Sequence, residues 1–196
     1  MKRLLTSIAF LSFIALSFTG CGVQSIPTQL NEVDAAWSEV LNQYQRRADL
    51  IPNLVEVVKG YAKHEKETLE SVIAARASAT QIKLDAKDLN EANLKKFQQA
   101  QDQLKGSLSR LMLVAEQYPN LKADQNFRDL QIQLEGTENR ITIARQRYIE
   151  QVKIFNNLVS VFPTNIANSF FFHYDKKPQF SVENEGELKK PPTVKF

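Results

Sequence analysis

Apolar residues recur along this chain in alternating steps of three and four. Leu30, Val33, Trp37, Val40 and Tyr44 open a first run. It continues through Ile51, Leu54, Val58 and Tyr61 and, past Glu65, through Val72, Ala75, Ala79 and Ile82, with Arg47 as a polar intruder. A second run takes Leu94, Phe97, Gln101, Leu104, Leu108, Leu111, Ala115 and Tyr118. The third takes Phe127, Leu130, Leu134, Thr137, Ile141, Ala144, Tyr148, Gln151, Phe155, Leu158 and Phe162. Such heptad-like stripes mark amphipathic helices that bury one face against their neighbours.

The ends of the runs carry stop and start signals. Asp85–Asn90 is a polar connector, and either Asp88 or Asn90 can cap the second run. Tyr118-Pro119-Asn120 ends that run, because a residue before proline is pushed out of the helical region. Asp124 is placed to cap the third run, and Pro163 closes it. At about 1.5 Å per residue, the first run (28–82) would be roughly 80 Å long as one helix, against about 45 and 58 Å for the others. A single straight helix of that length would leave about half its stripe without partners. The first run is therefore expected to break within 49–64, at Pro52, which suits the first turn of a new helix, or at Gly60–His64. The expected fold is all-α, an antiparallel four-helix bundle with long helices over residues 28–172.

The chain ahead of the bundle has a different character. After Lys2-Arg3 it runs apolar from Leu4 to Phe18, broken only by Thr6, Ser7, Ser12 and Ser17. A basic start, a short apolar core and small residues read as a signal peptide. As a helix, that core reaches only about 22 Å, short of the ~30 Å hydrocarbon layer. The next residues, Phe18-Thr19-Gly20-Cys21, hold the single cysteine of the chain and resemble a bacterial lipobox, with Phe18 departing from the leucine usual at its position. The resemblance implies cleavage after Gly20 and lipidation of Cys21. Residues 1–20 are thus read as signal peptide, 21–27 as a lipid-anchored tether, and 173–196, with Pro178, Pro191 and Pro192 among mixed charges, as a flexible tail. Two or more acyl chains hold a protein stably on a membrane where one does so only marginally. Gly22, in place of the aspartate that retains some lipoproteins at an inner membrane, favours an outer-membrane destination in a Gram-negative cell.

Composition removes several classes of function. The net charge of +3 falls to +1 without Lys2 and Arg3, leaving 23 basic and 22 acidic residues. A near-neutral body lacks the basic face that nucleic acid requires. Phosphate-cradling glycine loops, Gly-x-Ser-x-Gly and His-Glu-x-x-His motifs are missing from the sequence. Diiron bundles require Glu-x-x-His pairs, and neither His64 nor His173 sits in one. No catalytic residue, metal site or cofactor is assigned.

Two stretches are similar to signatures of the LemA family: QRRADLIPNLVEVVKGYAKHE over 45–65, and YPNLKADQNFRDLQIQLEGTENRITIARQRY over 118–148. The closing Phe162-Pro163-Thr164-Asn165-Ile166-Ala167 resembles the family's end motif. The likeness covers about 28–172 and implies an antiparallel helical bundle on a membrane anchor, with no established reaction. Candidate structural or partner-binding positions are Arg46, Arg47, Asp49, Pro52 and Asn53 in the first run and Glu135, Glu138 and Arg140 in the third. Arg47, on the stripe, is expected to pair with Glu135 or Glu138 and to fix helix register. As an alternative, Arg46-Arg47-Ala48-Asp49 forms an anion or partner site. Phe170-Phe171-Phe172 either covers one end of the bundle or meets a membrane or partner. The leading expectation is a lipid-anchored, non-enzymatic envelope scaffold or adaptor with a membrane contact through the lipid, an unidentified protein partner and room for self-association. Its rivals are a regulator of an envelope membrane protease or stress system and, last, an envelope hydrolase or ligand-binding enzyme.

Overall fold

A helix of 60 residues, α1 (Lys2–Tyr61), forms the spine of the protein. The computed structural model describes residues 2–180, with side chains described from Gln24 onward. After α1 come α2 (Lys66–Gln81), a 3-10 turn at Ala86–Asp88, α3 (Glu91–Ala115), the short α4 (Pro119–Ala123), α5 (Gln125–Ser160), α6 (Thr164–Ala167) and a π-turn at Asn168–Phe172. The all-α bundle expected from the periodicity is the observed fold.

The start signals act as their chemistry requires. Asn90 accepts the Asn93 N–H at 2.9 Å and caps α3, Pro119 stands at the start of α4, and Asp124 accepts the Phe127 N–H at 3.0 Å to cap α5. Each cap satisfies a backbone donor that the first helical turn leaves without a partner.

The break in the first run falls at residues 62–65, and Pro52 lies inside α1. A proline in a helix interior removes one N–H and leaves the carbonyl four residues earlier without its partner. That carbonyl is on Ala48, a buried residue, and Arg76 of α2 donates to it from Nε at 2.7 Å. The α2 helix thus repairs the defect that Pro52 makes in α1. The helix ends instead after Gly60 and Tyr61. Ala62 is fully buried against the upper core and the Glu65 N–H reaches back to the Ala62 carbonyl at 3.1 Å, so the chain reverses within four residues.

Contacts between α1 and α5 show their antiparallel pairing. Gln29 meets Gln151 at 2.7 Å, Arg47 meets Glu138 at 3.0 Å and Tyr61 meets Asp124 at 2.9 Å. The upper half is a four-helix bundle of α1, α2, α3 and α5, with Ile51, Leu54, Val58, Leu104, Leu111 and Leu121 sealed in its core. The lower half has no α2. There Leu84 and Leu89 from the connector, Phe180 from the C-terminal segment, and Trp37, Phe97, Tyr148 and Phe155 from the helices fill the space.

Two expected boundaries move. Ile26, assigned to the 21–27 tether, is fully buried in the lower core, and α1 runs through that segment without interruption. The tail assigned to 173–196 is held over its first residues. His173 takes a left-handed conformation (φ 57), its N–H bonds the Asn168 carbonyl at 2.8 Å, and the chain turns back along the bundle. Asn156 then holds the Lys177 N–H and carbonyl at 2.8 and 2.9 Å, Tyr148 donates to the Pro178 carbonyl at 2.9 Å, and the Arg145 guanidinium lies 4.3 Å over the Phe180 ring. Residues 181–196, the Cys21 side chain and the leader side chains lie outside the described residues.

The third stripe also drifts. Val152 and Val159 are buried where the strict heptad places Gln151 and Leu158, and Phe162 is 73% exposed. A straight α-helix slips about 20° per heptad against a 3.5-residue repeat. Over the five heptads from Phe127 to Phe162 that sums to about 100°, one residue's rotation, which matches the step of four at Tyr148–Val152. Tyr61 is exposed for a different reason, since the helix ends there and Ala62 takes the inward position.

Candidate functional site

Midway along the bundle, where upper and lower cores meet, the chain buries a charge. Arg47 is 4% exposed. Its guanidinium donates to Glu138 Oε2 at 3.0 Å, to Gln101 Oε1 at 2.7 Å and to the Gln101 carbonyl at 3.2 Å. The Tyr44 ring lies 5.0 Å from its Cζ. Gln101, also buried, turns its amide toward the Ala79 carbonyl at 3.5 Å. Lys105 closes the set from α3, its Nζ 2.7 Å from Glu138 Oε1. Residues of α1, α3 and α5 converge here, and α2 contributes through Ala79.

Electrostatics follow from this geometry. Partial burial pushes the Glu138 carboxyl upward, but the Lys105 hydrogen bond and the Arg47 and Lys105 charges outweigh it and hold it below its ordinary value. An ionised carboxylate clamped between two cations is a poor proton acceptor and a good register lock. Of the two carboxylates open to Arg47, the structure selects Glu138. Glu135 points outward and accepts from Gln131 at 3.0 Å.

Arg140 belongs to a neighbouring set on the outer face. It donates to Thr137 Oγ1 at 2.8 Å and to Gln43 Oε1 at 3.2 Å, and Gln43 in turn donates to Glu39 at 2.8 Å. Thr137 is itself fully buried and bonds back to the Gln133 carbonyl at 2.7 Å. Arg46, Asp49, Pro52 and Asn53 are exposed on α1, and Asp49 accepts from Gln45 at 2.7 Å. The candidate residues therefore separate into a buried lock (Arg47, Glu138), an outer brace (Arg140) and a solvent-facing row.

Three participants were not among the candidate residues of the sequence. Arg76 stands half-buried at the edge of its own stripe, and only the proline defect in α1 gives it a task. Gln101 appears on the stripe, but its pairing with Arg47 depends on how helices 54 residues apart in sequence meet. Lys105 is one of many lysines. Among the described residues no group of three or more His, Cys, Asp or Glu side chains converges to hold a metal ion.

An open cleft of about 640 Å³ lies at the upper end between α1 and α2. Val55, Leu69 and Ile73 form its floor, with Glu56, Lys63 and Lys66 at the rim. The aromatic side chains of the lower core are occupied by packing. Trp37 lies 5.5, 5.3 and 6.0 Å from the rings of Phe97, Tyr148 and Phe180, and donates to the Leu84 carbonyl at 2.8 Å. Burial, assisted by Asp34, pushes the Tyr148 hydroxyl well above its ordinary value, so it stays a neutral donor to Pro178.

Fold and site together define a class: an elongated antiparallel helical bundle whose polar interior is spent on its own register. The profile of the LemA family matches residues 36–196, and the chain belongs to that family. It is similar to the protein LemA of Metamycoplasma hominis, with 24% identity over 135 residues, covering 69% of this chain and 58% of that protein. The aligned region thus spans little more than half the length of that curated relative. Among the described residues no helix is long and apolar enough to cross a membrane.

Proposed function

We propose that this protein is a lipid-anchored, non-enzymatic scaffold of the bacterial cell envelope, tethered through Cys21 and presenting its helical bundle to a protein partner. The continuity of α1 carries the reading. The helix whose bounds contain the apolar leader and Cys21 is the one that forms the spine of the bundle. An anchor at that position sets where the whole bundle stands, and Gly22 favours the outer membrane where one exists.

The α1–α2 cleft is the surface such a partner would use. An apolar floor with a mixed, mainly basic rim suits an amphipathic helix laid into a groove, with its apolar face down and its charges paired along the sides. The polar interior supports the same reading, because Arg47 and Glu138 neutralise each other and leave no poised acid, base or nucleophile between them.

Chemical crosslinking in intact envelopes, followed by purification of the full chain, tests the proposal. A specific protein recovered with the wild type and lost with Leu69→Glu and Ile73→Glu is the expected result. A single envelope protease as that protein would turn the scaffold into a regulator. Recovery of no specific protein, together with turnover of a small substrate by the purified protein, would sink the scaffold reading.

A further inference from the structure

The lower end of the bundle has a property the upper end lacks. From Ile154 to Tyr174, 21 consecutive residues include no Asp, Glu, Lys or Arg, in a chain that is 24% charged. The partner helix at that end is equally bare, for α1 carries no formal charge from Leu4 to Asn31. The two silent stretches meet in space, since Ile26 packs with Phe155 and Val159 in the lower core and Gln29 bonds Gln151. Charges resume at Glu32 on α1 and at Lys153 and Glu150 on α5. Below Lys153 the charge-free α5 segment 154–160 extends about 10 Å.

This end is also where large apolar side chains face outward. Val161, Phe162, Ile166, Phe170 and Phe171 are 53, 73, 48, 75 and 68% exposed. The inner member of the aromatic run behaves differently: Phe172 stacks on Tyr174 with ring centroids 5.5 Å apart, and Tyr174 packs near Phe155. So Phe172 closes the bundle while Phe170 and Phe171 turn away from it. Soluble surfaces rarely gather large apolar side chains without a partner for them.

The direction of the leader says what that partner is. α1 enters the bundle at this same end, and Cys21 precedes the buried Ile26 by five helical residues, about 7.5 Å along the axis. A flexible tether would let the bundle wander, whereas an anchor this close draws the end against the bilayer. Amphipathic elements seat their apolar side chains about 5–10 Å into the boundary of headgroups and acyl chains. That depth is comparable with the tip below Asn156, where Lys177, preceded by Asp175 and Lys176, brings charge back beside α5. We propose that the end formed by α1 below Gln29 and by residues 154–174 is seated in the lipid interface, with Phe162, Phe170 and Phe171 immersed. It makes a second membrane contact beside the lipid on Cys21, and rests on that anchor reading for its orientation.

Tryptophan depth measurements on the full-length protein decide the matter. Trp37 is the single native tryptophan and only 1% exposed, so it supplies a constant background. Phe170→Trp and Phe171→Trp variants are reconstituted in phosphatidylcholine vesicles with brominated acyl chains, beside Leu113→Trp and Ile132→Trp, whose sites are 67 and 66% exposed elsewhere on the bundle. The expected result is blue-shifted, strongly quenched emission for the first pair and unquenched emission for the second. Vesicle-bound protein in which Phe170→Trp is quenched no more than Leu113→Trp would overturn the proposal and leave the anchor standing. A blue shift without quenching, the mark of a second copy or another protein over the patch, would overturn it as well. Adding Cys21→Ser to Phe170→Trp separates the two contacts. Continued flotation and quenching would show that the immersed end holds the bilayer without the lipid and so support it, whereas continued flotation with Phe170→Trp unquenched would overturn it.

Discussion

Replacing Arg76 tests the claim that α2 repairs the proline defect in α1. Arg76→Met keeps most of the aliphatic stem and deletes the donor, leaving the Ala48 carbonyl, on a residue 3% exposed, without a partner. A buried polar group deprived of its bond costs about 1–3 kcal/mol, and bonds from charged donors lie toward the upper part of that range. The loss expected in urea unfolding of the full chain is about 2 kcal/mol. The decisive step is the double-mutant cycle with Pro52→Ala. Alanine restores an N–H at position 52 that can bond the Ala48 carbonyl inside α1, so Arg76→Met becomes nearly harmless in that background. A coupling energy of about 1–2 kcal/mol is expected, well above the ~0.5 kcal/mol scatter of independent sites. Additive effects, with Arg76→Met as damaging in Pro52→Ala as in the wild type, would refute the repair.

Other perturbations probe the remaining features. Arg47→Ala strands Gln101 and half of Glu138 in the bundle interior, and a loss of about 3 kcal/mol is expected by denaturant titration, the lower part of the range for breaking a buried pair because Lys105 still holds Glu138. Glu138, whose folded value is depressed from 4.5, contributes stability that is present above about pH 4.5 and is lost as pH falls through its lower folded value. Glu138→Gln should therefore flatten the acid limb of a stability-versus-pH curve, and an unchanged limb would argue against the clamp. Tyr148→Phe removes the bond to Pro178, so hydrogen exchange at Lys177 should quicken and overall stability fall by about 1 kcal/mol. Asp124→Ala removes the cap of α5 and should cost about 1 kcal/mol of unfolding free energy, whereas Asp124→Asn should retain most of it.

Much of this fold was legible because the stripes are long and their ends carry strong signals. Asn90, Pro119, Asp124 and Pro163 act locally, so the chain around each specifies where a helix starts or stops. Pro52 misleads for the opposite reason. Its effect depends on an arginine 24 residues away, and a local rule that reads proline as a breaker cannot see the donor. The drift at Val152 has a geometric origin, since a strict heptad and a straight helix agree over two or three turns and part company over ten. Phe180 was hidden because an extended segment has no 3.6-residue period. It is held by Asn156, Tyr148 and Arg145, whose side chains supply the bonds and the ring contact. In the candidate site, Arg47 was visible as a polar residue on an apolar stripe, and Glu138 as one of two carboxylates at the matching height. Gln101 and Lys105 needed the packing of α3 to bring them there.

Where the bundle is held matters more than any single contact, and the state of Cys21 in the mature protein tests it most directly. Intact-mass analysis of the chain extracted from membranes, paired with fractionation of cells carrying Cys21→Ser, reads both halves of the claim. A mature protein beginning at Cys21 with the added mass of acyl chains, and release of Cys21→Ser from the membrane fraction, is the expected pair of results. An unmodified Cys21 within an uncleaved chain, with Cys21→Ser retained on membranes as fully as the wild type, would contradict the lipid-anchored account.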